Sequence, residues 1–112
     1  MNSAWEGGRF VIRKIAENLL IRVYYEFGAV VSLDEKENVI GVSLFDTEFG
    51  GRWIRAEPDA AQLWLLIHHP DGNRELTQKD LENIAVLKKA LPFMPLRIFI
   101  AGEDIGVTET AL

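Results

Sequence analysis

"RWIRAEPDAAQLWLLIHH", residues 52 to 69, is the stretch on which the architecture of this chain turns. Pro58 can open a helix at its first position, where a missing N–H is no loss, or it can sit second in a turn joining strands 52–57 and 62–69. The two-strand reading is preferred. Leu63, Leu65 and Ile67 alternate with Trp64 and Leu66, so the second run is apolar on both faces, as expected of a strand in the middle of a sheet.

That run continues into "HHPDGN", where two histidines and a nearby aspartate resemble a metal or acid–base site. Geometry argues otherwise. Neighbouring residues of a strand point to opposite faces, and on a helix they lie about 100° apart, so His68 and His69 cannot readily share one ion. "PDGN" is turn chemistry: Pro70 presets φ, Asp71 or Asn73 bonds the local backbone, and Gly72 takes a positive φ. The expectation is the end of a strand and a tight turn, with no metal and no cofactor.

Thr77 can cap a helix running to about Leu91, with Leu81, Ile84, Ala85, Leu87, Lys88 and Leu91 in an amphipathic pattern facing a core. Asp80 in the first turn and Lys88 and Lys89 in the last suit the helix dipole, and Pro92 and Pro95 stop the helix. "LRIFIAG" then reads as a strand, with "EDIGV" after it as its hairpin partner or an edge continuation.

Toward the N-terminus, residues 10 to 27 place Ile12, Ile15, Ala16, Leu19, Leu20, Val23 and Phe27 on one helical arc, and the spacing of Lys14, Asn18, Arg22 and Glu26 is four. This predicts a first helix, with Gly28 as its left-handed C-terminal cap. The β-branched runs "AVVSL" and "NVIGVSLF", separated by "DEKEN", predict a hairpin over 29–45. Residues 46 to 52 form a loop around Gly50 and Gly51. The order predicts an α+β fold: an antiparallel or mixed sheet of about five to six strands with two helices packed on one face. Residues 1–8 read as a flexible lead-in and 9–112 as a single domain.

At 112 residues and 48% hydrophobic, the chain can bury one core without staples. There is no cysteine, which removes thiol nucleophiles, zinc–thiolate sites and disulfides, and fits a cytoplasmic location. The charges among residues 10 to 27 argue against a membrane span. A net charge of −5 argues against sequence-independent binding to nucleic acid.

Several side chains stand as candidate contact residues. Ile21, Tyr24 and Tyr25 lie off the core arc of the first helix and Trp5 precedes the fold, so they form a candidate protein-binding surface. Arg9, Arg13, Lys14, Arg52 and Arg55 form basic patches able to touch an anion. Asp46, Glu48 and Arg52 surround the Gly50–Gly51 pair, but no phosphate-loop motif is present. Neither Ser32 nor Ser43 has the glycine-flanked setting of a hydrolase nucleophile.

"MPLRIFIAGEDIG", residues 94 to 106, resembles the proline-preceded strand and hairpin near the end of glutaredoxins and related thioredoxin-fold proteins. The cysteines of that family are missing, so the resemblance implies a hairpin and no redox activity. The order of elements is similar to that of the small acidic chaperones of type III secretion, which implies a dimer that binds partner polypeptides.

The leading expectation is a non-enzymatic, adaptor- or chaperone-like protein-binding module that forms a homodimer and also binds another protein or peptide. The alternatives are a nucleic-acid-associated regulator using the basic patches, and a small ligand-binding or enzymatic domain centred on His68, His69 and the 46–52 loop.

Overall fold

A computed structural model of the chain describes residues 27–46, 55–102 and 106–111. Pro58 sits second in a turn: the Ala60 N–H donates to the Glu57 carbonyl at 3.1 Å. Strand β3 (Gln62–His68) follows, buried from Leu63 onward. It lies between β1 (Phe27–Leu33) and β4 (Leu96–Gly102), and the five-stranded sheet has the order β2-β1-β3-β4-β5, with β2 at Val39–Asp46 and β5 at Gly106–Thr110. A strand with sheet on both sides and buried side chains on both faces is dry all round, which is why its sequence is continuously apolar.

The sheet is mixed. β1 runs antiparallel to both β2 and β3, β4 and β5 are antiparallel, and β3 and β4 are parallel. Parallel neighbours need a crossover long enough to return the chain to the same end, and helix α1 (Gln78–Ala90) supplies it. Thr77 caps α1 in a capping box: its hydroxyl accepts from the Asp80 N–H at 3.1 Å while Asp80 Oδ2 accepts from the Thr77 N–H at 2.9 Å.

Ile84 and Leu87 of α1 pack on Val30, Phe45, Leu63, Leu65, Ile67 and Ile98, which share one face of the sheet. Ala29, Val31, Leu33, Trp64, Leu66, Phe99 and Ala101 are buried on the other. The Arg97 guanidinium lies 5.3 Å from the centre of the Trp64 ring and 5.6 Å from that of Phe99, and it pairs with Glu109 of β5 at 2.6 Å. A cationic plane over aromatic faces, held by a carboxylate, closes that end of the layer.

The α+β class, the 29–45 hairpin, the central strand and the Thr77-capped helix appear as expected; β4 does have a hairpin partner, but it is Gly106–Thr110 and not the expected 103–107, of which 103–105 lie outside the described residues. Other expectations are corrected. Gly28 is not a helix cap: it is buried inside β1, where the Phe45 ring lies over it and a methyl group would also meet the Leu66 carbonyl at 3.0 Å. The expected first helix falls on residues 10–26, outside the described residues, except for Phe27, which begins β1. Of the two helices expected, the described residues contain one. Residues 55–57 are not strand, and the rest of the expected 52–57 strand is outside the described residues, as are the 1–8 lead-in and the loop beyond Asp46. On α1, Leu81, Ala85 and Lys88 are exposed, and Asp80 and Asn83 are buried with Ile84 and Leu87. The buried stripe therefore starts one position earlier than the apolar pattern suggests, because a buried polar partner draws Asp80 inward.

Candidate functional site

His69 follows the last residue of β3, and the turn after it is built as the sequence predicts. The Gly72 N–H donates to the His69 carbonyl at 3.1 Å, Gly72 has φ 78°, Asp71 Oδ1 accepts from the Asn73 N–H and Asn73 Oδ1 from the Glu75 N–H. This compact connection returns the chain so that the start of α1 lies beside the end of β3. His69 Nδ1 then lies 2.8 Å from the Asn73 carbonyl and Nε2 2.7 Å from Asp80 Oδ2, with both side chains fully buried.

The protonation of this pair follows from its partners. A carbonyl oxygen only accepts, so Nδ1 carries a hydrogen. Asp80 Oδ2 already accepts from the Thr77 N–H, which leaves it the acceptor for Nε2 as well. Burial pushes the Asp80 carboxyl up, but hydrogen bonds from His69 and from the Thr77 N–H and hydroxyl, with the charge of His69, hold it below its ordinary value of 3.8. The geometry suits a ring that donates from both nitrogens, to a carboxylate and to a carbonyl. Neither side chain has exposed surface. The pair's chemistry is that of a clamp between β3 and α1.

His68 is also buried, but it continues the alternation of Trp64 and Leu66 onto the opposite face of the sheet from α1. Among the described residues no group of three or more His, Asp or Glu side chains is placed to hold a metal ion, and no helix is long and apolar enough to cross a membrane.

Apolar surface among the described residues includes a cleft and a strand. The cleft, of about 370 Å³, lies between the C-terminal turn of α1 and the Ala60–Ala61 segment and is lined by Ala90, Leu91, Met94 and Pro95, with Phe93 projecting beside it at 96% exposure. The strand is β2, at the edge of the sheet among the described residues. Its side chains Ile40, Val42 and Leu44 are 39, 45 and 57% exposed. Val42 and Leu44 share a face with their partners Val31 and Ala29, so the sheet's apolar layer continues, half-exposed, onto β2. Between Val39 and Phe45 the strand has no charge and no proline. The register slips by one residue at Ile40, which has no partner on β1.

Of the candidate contact residues read from sequence, Trp5, Ile21, Tyr24 and Tyr25 lie outside the described residues, as do Arg9, Arg13, Lys14 and Arg52. Arg55 is described and exposed. Two features escaped the sequence reading. The His69–Asp80 pair is eleven residues apart, and its signal was a short strand-to-helix connection with an acid at the capping-box position. The β2 row was read only as hairpin, although an apolar–small alternation without a single charge marks a strand whose outer face is also apolar. No protein-family model and no curated protein matches this chain.

Proposed function

We propose that this domain is a non-enzymatic protein-binding module, adaptor- or chaperone-like in its mode of action, that receives another polypeptide along β2. The observation that carries this reading is the exposed row of Ile40, Val42 and Leu44 on a strand at the edge of the described sheet, with no charge or proline between Val39 and Phe45. An edge strand presents a line of backbone donors and acceptors, and proteins that must stay alone guard it with lysine, proline, charged side chains or a bulge; on β2 the slip at Ile40 lies near the start of the strand, and Gly41 to Phe45 carry none of these. The opposite edge is guarded: β5 carries Thr108 and Thr110 and the Arg97–Glu109 ion pair. An added strand gains main-chain hydrogen bonds from β2 and buries its own apolar side chains against Val42 and Leu44. The sealed His69–Asp80 pair supports a binding role over an enzymatic one.

A photo-cross-linking residue at position 44, with one at position 108 as the control, tests the reading in cells of the native host. Polypeptide adducts identified from position 44 and not from 108 are expected. Equal labelling at the two edges, or none at either, overturns it.

A further inference from the structure

We propose that the strand received by β2 is β2 of a second copy of this chain, so that two five-stranded sheets join about a two-fold axis into one of ten strands. The inference rests on the protein-binding reading and names its partner. Two copies of one patch meeting about a two-fold axis is the commonest oligomer geometry, and it requires the patch to complement itself.

β2 does so when the axis passes beside Val42. In that antiparallel register Val42 faces Val42 of the partner subunit, Ile40 faces the partner's Leu44, and Gly41 faces the partner's Ser43. The exposed apolar side chains meet one another, and the small residues meet small residues on the helix face. Directly opposed apolar side chains are the unit from which sheets gain stability.

At the contact itself, charge does not oppose this occupant. The chain carries a net charge of −5, so two copies repel at long range, yet residues 38 to 45 contain no charged side chain. The strands therefore meet without a buried or like-charge pair. The other edge of a second copy would bring Glu109, whose carboxylate is already held by Arg97, against Val42 and Leu44.

Light scattering on the purified full chain at tens of micromolar is expected to give twice the chain mass. Val42→Lys places two ammonium groups opposite each other across the axis, while in one chain the side chain is 45% exposed and tolerates the change. It should raise the dissociation constant by at least about 100-fold with the circular dichroism spectrum kept. Val42→Glu should do the same, and an equimolar mixture of the Val42→Lys and Val42→Glu proteins should recover the dimer, because opposite charges then face each other. Thr108→Lys at the other edge should leave it intact. A monomeric wild-type chain overturns the inference, as does a dimer indifferent to Val42→Lys or a mixture that does not reassociate. Adducts from position 44 to a different protein, together with a monomer, overturn this inference alone. Absence of any adduct together with a monomer overturns the protein-binding reading too.

Discussion

Asp80 shows how one residue joins two elements through three hydrogen bonds. Its Oδ2 takes the His69 imidazole and the Thr77 N–H, and its own N–H reaches the Thr77 hydroxyl, so the side chain ties the helix start to the strand end. Removing the Thr77 hydroxyl deletes one cap bond, and Thr77→Ala should cost about 1 kcal/mol. Asp80→Ala leaves a buried imidazole without its counter-charge and should cost about 3–5 kcal/mol. Equal losses in urea unfolding would show that the pair adds nothing beyond capping. The pH dependence follows from the lowered Asp80 carboxyl. The unfolded chain takes up this proton near 3.8 and the folded chain only below that, so the stabilisation is complete above 3.8 and disappears as the pH falls through the folded value. Between pH 5 and pH 2 the urea midpoint of the wild type should fall more steeply than that of Asp80→Asn. Parallel curves would place the acid sensitivity elsewhere.

At the scale of elements, the contact of β1 with β2 rests on a glycine. Gly28 pairs with Phe45, and a methyl group at 28 would sit 2.7 Å from Phe45 Cε1 as well as against the Leu66 carbonyl. Gly28→Ala should therefore destabilise by about 1–3 kcal/mol through overpacking, and a double-mutant cycle with Phe45→Leu should recover part of that loss. Strict additivity would mean that the ring does not fill the space over Gly28. The same residue shows where the sequence was ambiguous. A glycine after an amphipathic arc satisfies the rule for a helix cap, and a glycine in a β-branched run satisfies the rule for close approach in a strand; only the ring 17 positions later distinguishes them. Elements with two independent signals were legible. β3 has apolar residues on both parities and a flanking turn, and α1 has a cap, a dipole pattern and closing prolines. The polar pair 69–80 and the open row on β2 were not, because each depends on which elements become neighbours.

Across the whole molecule, protection should follow position in the sheet. β3 and β1 have a hydrogen-bonded strand on each side and buried side chains on both faces. β5 lies at an edge, with Thr108 and Glu109 exposed. Opening β3 requires breaking two ladders and exposing both apolar layers, which amounts to unfolding the domain, whereas β5 can open by losing one ladder. Native-state hydrogen exchange should therefore find the slowest amides in β3 and β1, exchanging only through global unfolding, and faster ones in β5. Leu65→Ala removes a fully buried side chain from the central strand and should lower global stability by about 2–5 kcal/mol, accelerating the β3 amides in proportion. Thr108→Ala should leave those amides unchanged. β5 amides as slow as those of β3 would mean that the sheet opens as one unit, with no gradient from centre to edge. β2 then becomes an independent readout of its own pairing. A lone edge should exchange like β5, whereas a strand covered by a second copy should slow as concentration rises, and Val42→Lys should remove that concentration dependence without touching β3.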